Sequence, residues 1–155
     1  QISGMQSTQV GYLKETQLKA LETTDIASMT SAQLNALAAT QLNTLDSKQM
    51  AALTTGQMGD LSTTQIASLS TTQIGGLLVA QVKALSVPQI AAIEEADIAA
   101  LKSAQVSSLV TTQIQALTTT QITWLKATQL NALTPAQWGM FTAAQVAKLP
   151  IPITP

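Results

Sequence analysis

Leu117-Thr118-Thr119-Thr120-Gln121-Ile122 reads as the start of a helix. Thr118 stands where an N-cap hydroxyl accepts from the third helical N–H, and Gln121, three residues on, reaches back to the cap's own N–H. Leu117 before the cap and Ile122 in the second turn are spaced as a hydrophobic staple. Leu133-Thr134-Pro135-Ala136-Gln137-Trp138 repeats the arrangement, with Pro135 at the first helical position, where a missing N–H leaves nothing unpaired. Apolar residues three apart, such as Ile66 and Leu69, then share one helix face. These junctions predict about one and a half turns of helix, followed by a bend near the Leu.

The same junction recurs along the whole chain. Every eighth residue from Gln1 to Gln145 is Gln, except at Asp25 and Asp97. The next position is always apolar, from Ile2, Val10 and Leu18 to Trp138 and Val146, and so is the fifth, from Met5 and Leu13 to Phe141 and Leu149. A fixed period over the full length is the mark of a stacked array. A continuous helix cannot follow it, because eight residues at about 100° each make the apolar stripe slip by ~80° per block. The expected class is therefore all-α, a solenoid of very short helices with one helix per octad. It spans 1–149, and 150–155 form a Pro-rich cap or linker.

A β-solenoid is the alternative. Only nine of the nineteen cap positions are Ser, Thr or Asp, and Lys14, Leu78, Val110 and Lys126 are poor caps. The box position is never Glu, which closes a capping box as well as Gln does. Exclusive Gln implies that a neutral amide is wanted, partly buried and bonded from coil to coil, as amide ladders are in stacked β structures. Against strands stand the invariant apolar fifth position, the frequent Ala and a spacing of three rather than two. Gly also keeps no fixed position, whereas tight β corners need it.

A second period of sixteen overlies the first. The fourth position is Ala in most odd octads (Ala20, Ala36, Ala52, Ala84, Ala100, Ala116, Ala132) but in even octads only at Ala92. That alternation favours two octads per coil over the alternative of three, and two give a rod of roughly 90 Å at the ~10 Å spacing of adjacent helices.

Composition narrows function by exclusion. Charged residues are 10% of the 155 and the net charge is −1, so there is no basic patch to neutralise nucleic-acid phosphates. No apolar run approaches the ~20 residues of a membrane span. Without His or Cys, and with Lys scattered, no nucleophile–base pair stands out from the pattern. No phosphate loop or metal-ligand spacing is present either. The expectation is a non-enzymatic chain with no cofactor and no metal. Glu94, Glu95 and Asp97, the one acidic cluster in the sequence, are expected in the first turn of a short helix, where its dipole favours carboxylates.

At the C-terminal end Trp138, Met140 and Phe141 are bulkier than their counterparts, and Pro150 and Pro152 end regular structure. Trp138, Phe141, Pro150 and Pro152 are therefore expected to cap the solenoid. The N-terminal end shows no matching cap. Weak mutual repulsion at low charge then makes self-association, end to end or lateral, the expected partnership, together with flanking domains of a longer chain.

Gln65-Ile66-Ala67-Ser68-Leu69-Ser70-Thr71-Thr72 and Gln113-Ile114-Gln115-Ala116-Leu117-Thr118-Thr119-Thr120 resemble octapeptide tandem repeats of large bacterial secreted and cell-surface proteins, adhesin-like and repeats-in-toxin-like. The structural residues that carry the resemblance are Gln65, Ile66, Leu69, Gln113, Ile114 and Leu117. It implies an extracellular or cell-surface spacer, stalk or self-assembling fibre. The acidic calcium-binding nonapeptide of the repeats-in-toxin chains is absent. The alternative is ice binding on a Thr-rich face that includes Thr64, Thr72, Thr112, Thr120 and Thr128, a row interrupted by Lys48, Pro88, Ala96 and Ala104.

Overall fold

A computed structural model describes residues 2–150. Among them are eighteen helices of four to six residues each and no strand, from α1 (Ser7–Gly11) to α18 (Ala143–Val146). The solenoid of short helices is the observed architecture, and the β alternative is set aside. Each helix is capped by the sixth residue of an octad, begins at the seventh and ends between the second and fourth of the next block. In α15 (Thr119–Thr123) the Thr118 hydroxyl accepts from the Gln121 N–H at 3.0 Å. The Ile122 N–H closes the first turn on the Thr118 carbonyl at 3.0 Å.

Chain direction changes through two extended residues. Leu117 (φ −59°, ψ 127°) and Thr118 (φ −67°, ψ 157°) lead from α14 (Thr111–Ala116) into α15. No described residue has a left-handed φ. A bend made of extended residues needs no Gly, which is why Gly has no fixed place in the repeat.

Helices pack on those three octads away: α1 on α4 (Ser31–Asn35), α4 on α7 (Thr55–Asp60), α8 (Thr63–Ala67) on α11 (Val87–Ala92), and α11 on α14. Side-chain bonds described below reach four octads back. One coil therefore holds between three and four octads, not the two expected from the alternation of the fourth position. Two octads per coil would require each bend to reverse the chain, and a pair of extended residues turns it far less. Odd fourth positions from Ala36 to Ala132 are half-buried, whereas in even octads Tyr12, Ser28, Asp60 and Trp124 are exposed and Ala92 half-buried; the alternation is one of exposure and does not set the coil. With eighteen helices the rod has about five coils and is roughly 50 Å long at the ~10 Å spacing of packed helices.

The core is a line along the coil axis. Second-position residues Val10, Leu18, Ile26, Leu34 and onward to Leu130 are fully buried, and fifth-position residues from Met29 to Leu133 nearly so. Each coil buries its apolar pairs against the coils before and after it, as a quasi-one-dimensional array must.

Coil spacing is tight enough to select glycine. A Cβ on Gly75, in α9 (Thr71–Gly76), would lie 2.9 Å from the Ala100 carbonyl oxygen. On Gly56, in α7, it would meet nothing closer than the Thr54 hydroxyl at 3.9 Å. Gly75→Ala is expected to destabilise by about 1 kcal/mol net, overpacking outweighing the gain in helix propensity. Gly56→Ala gains propensity without the clash and is expected to stabilise by about 0.5 kcal/mol. Thermal melts of the two variants should move in opposite directions.

Candidate functional site

The residue type that opens nearly every octad also makes the repeated polar contact of the structure. Among the described residues each Gln of the repeat, from Gln9 on, is the third residue of its helix, so its side chain lies beside the helix start. Its Oε1 accepts from the N-cap backbone N–H, as at Thr118 to Gln121 (2.8 Å) and Ser62 to Gln65 (3.0 Å). This arm works whatever the cap residue is. Leu78 N–H donates to Gln81 at 2.8 Å, Val110 to Gln113 at 3.1 Å, Lys14 to Gln17 at 2.8 Å and Lys126 to Gln129 at 2.7 Å. At Lys14, Leu78 and Lys126 the Gln backbone N–H that a cap hydroxyl would take bonds the cap carbonyl instead, at 2.9, 3.0 and 3.0 Å.

The other end of the amide reaches the coil before. Gln81 Nε2 donates to the Met50 carbonyl at 2.8 Å and to the Leu53 carbonyl at 2.7 Å. Gln65 does so to Leu34 and Leu37, at 3.1 and 3.0 Å. Gln113 donates to Val82 and Leu85, at 3.1 and 2.8 Å, and Gln145 to Ile114 and Leu117, both at 2.8 Å. The separations are 31 and 28 residues in each case. The acceptors are a carbonyl in the last turn of a helix, which also takes the N–H of the residue past its end (Leu53 to Met50, 3.2 Å), and the carbonyl of that following residue, which no intrahelical N–H reaches. One amide thus caps the start of its own helix and the end of another. We call this the glutamine clamp. It explains why Glu is absent: a carboxylate can accept from the cap but has no N–H for the two carbonyls.

The apolar partners sit as the repeat requires: Ile66, Leu69, Ile114 and Leu117 are buried beside the clamps of Gln65 and Gln113. Among the described residues no buried side-chain nitrogen or oxygen lacks a hydrogen-bond partner. What sequence reasoning missed was the pair of backbone acceptors and their distance along the chain. The signal was present in the period itself, since a register held without insertion lets one Gln meet the same two carbonyls in every coil.

Asp97 breaks the series. It lies in α12 (Glu95–Ile98), with Glu94 as N-cap and Glu95 in the first turn, so the acidic cluster occupies the helix start expected of it. Asp97 is 3% exposed. Burial, with the charge of Glu94 adding to it, pushes its carboxyl up to about 6. The carbonyls at 31 and 28 residues before it, Ile66 and Leu69, receive no Gln. Among the described residues no group of His, Cys, Asp and Glu is placed to hold a metal ion.

Trp138 is half-buried and its ring lies 5.7 Å from that of Phe141, centroid to centroid. Phe141 is buried and Pro150 is exposed, while Pro152 lies outside the described residues. Thr64, Thr72, Thr112, Thr120 and Thr128 are all exposed. A coil of three to four octads sends successive octads to different sides of the rod, so Thr64 and Thr72 do not share a face. The same holds for Thr112, Thr120 and Thr128. The residue one coil-neighbour on from Thr72 is Ala96.

Helix, clamp and coil together define a tandem-repeat α-solenoid. The ALTTAQ repeat is matched three times, over residues 18–55, 55–87 and 90–127. The chain belongs to the ALTTAQ-repeat family. A search of the curated proteins and of the solved structures found no match.

Proposed function

We propose that the chain is a non-enzymatic structural segment, a rigid rod that spaces the parts of a secreted or cell-surface bacterial protein. The observation that supports this best is the clamp series from Gln33 to Gln145, interrupted only at Asp97. The buried polar chemistry that recurs in the chain is engaged in fixing one coil on the next. Bonds that serve two helices at once resist bending at every step, which a spacer needs and a catalyst does not. The octapeptide resemblance supplies the extracellular setting. No described helix is long and apolar enough to cross a membrane.

Rigidity is testable because the chain has no Cys. Spin labels placed at Thr8→Cys and Ala144→Cys, both exposed, should give one narrow distance distribution centred at roughly 50 Å, the separation of about five helix-spaced coils. A broad distribution would remove the rigid-spacer reading.

A further inference from the structure

The step at Asp97 has no clamp, and the side chain and carbonyls that meet there are all acceptors. Asp97 is the third residue of α12, as each clamp Gln is of its own helix, so its side chain leaves the helix toward the Ile66 and Leu69 carbonyls. Elsewhere an amide donates to such a pair; here an acid one methylene shorter faces it. The Ile66 carbonyl takes the Leu69 N–H at 3.3 Å or closer in no other way than its own turn allows, at 3.2 Å, and no described N–H reaches the Leu69 carbonyl. Asp97 is buried, yet its carboxylate has no hydrogen bond or ion pair within the chain, and the little exposure it keeps lies on its oxygens. Glu94 stands beside it. A cap side chain lies against the third side chain of its helix, with Ser62 Oγ 3.1 Å from Gln65 Oε1 and Thr134 Oγ1 3.1 Å from Gln137 Oε1. At α12 both members of that pair are carboxylates. Glu94 makes no side-chain cap bond, and its charge is felt at Asp97. The helices packed on α12 are α9 and α15, and neither carries a charged residue to balance the two acids.

We propose that Asp97, Glu94 and the carbonyls of Ile66 and Leu69 bind one calcium ion, which joins the two coils at the step where Gln is replaced. Side chains alone make no metal site here; the two backbone oxygens complete it. No sequence motif marks such a site, since two of its four ligands are backbone. Only oxygen ligands are present, which selects a hard cation over zinc or copper. Two carboxylates call for a divalent ion. The shorter side chain leaves an interval that suits an ion holding oxygens at ~2.3–2.6 Å on either side, in an irregular shell finished by water. Magnesium demands a near-ideal octahedron at ~2.0–2.1 Å and gives up its own waters reluctantly, so it fits worse. With only two charged ligands the affinity belongs to the weak class, a Kd of about 10⁻⁴ to 10⁻³ M. The ion does by charge what the Gln amide does by hydrogen bonding: it sets positive charge between the carbonyls of one coil and a side chain of the next.

The test is equilibrium dialysis against radiolabelled calcium at pH 7, paired with thermal melts in EDTA and in about 10 mM calcium chloride, well above the expected Kd. The wild type is expected to take up one ion per chain and to melt about 5 °C higher with calcium than in EDTA. Asp97→Gln, which replaces the ligand by a clamp, should take up none and melt alike in both buffers, above the wild type in EDTA. Glu94→Gln, at an exposed position, should keep the circular dichroism of the wild type and bind calcium about tenfold more weakly. No uptake by the wild type, equal uptake by Asp97→Gln, or an equal shift with magnesium chloride would overturn the proposal. The spin-label distance does not depend on this ion, so the site and the rigid-spacer reading fail separately.

Discussion

Gln81→Glu is expected to lower stability at pH 7 by about 4 kcal/mol and to recover much of that loss in acid. Glu keeps the acceptor for the Leu78 N–H, but its second oxygen would face the Met50 and Leu53 carbonyls, 2.8 and 2.7 Å from the present nitrogen, in a buried position. A carboxylate cannot remain ionised there. Holding a group of ordinary pKa near 4.3 protonated at pH 7 costs about 3.7 kcal/mol, and the acid still offers one donor where the amide offers two. The folded pKa is raised above the unfolded one, so the protonated state favours folding below about pH 4 and that advantage is lost as pH rises. Gln81→Met, similar in volume, strands the cap N–H and the Leu53 carbonyl at any pH and leaves the Met50 carbonyl with the Leu53 N–H alone. Denaturant melts at pH 7 and pH 4 separate the two: Glu should be rescued by acid and Met should not. Equal behaviour of the pair at both pH values would argue against the clamp.

Asp97→Gln should act in the opposite direction. The carboxyl of Asp97 is raised to about 6 by burial and then by Glu94, so the native chain binds a proton there more tightly than the unfolded chain does. Wild-type stability is therefore expected to fall as pH rises between about 4 and 6. Gln at this position removes that slope and restores the donors for the Ile66 and Leu69 carbonyls. We expect a gain of about 2 kcal/mol at pH 7, the linkage part being discounted for solvent screening near the helix start, and a smaller gain at pH 4, where the restored hydrogen bonds alone contribute. In a chain whose stability is a sum over neighbouring coils, the gain should be largest in hydrogen exchange around octads 65–72 and 97–104. Asp97→Gln melting no higher than wild type at pH 7 would show that the interruption costs nothing.

Much of the fold was legible in the residues. Thr118, Gln121, Leu117 and Ile122 are cap, box and staple as spaced, and the apolar second and fifth positions are the core. These are local features, settled within six residues by hydrogen-bond reach and helix geometry. The insistence on Gln over Glu also pointed correctly to an amide bonded between coils. The number of octads per coil was not legible. It depends on how far two extended residues turn the chain, and φ and ψ at Leu117 and Thr118 leave no trace in residue type when any side chain can adopt them. The alternation at the fourth position looked like a coil period and is not one. It doubled the apparent length of the rod, from about five coils to nine and a half, because helix spacing is multiplied by the number of coils.

The central claim is that each repeat Gln from Gln33 onward grips two carbonyls of the coil before it, 28 and 31 residues back, or 28 and 30 at Gln41 and Gln137. The direct measurement is the scalar coupling across hydrogen bonds from Gln81 Nε2 to backbone carbonyl carbons, read by NMR on selectively labelled protein. Couplings to Met50 and Leu53 are predicted. Couplings to Ile66 and Leu69, as two octads per coil would place them, or none at all, would contradict it.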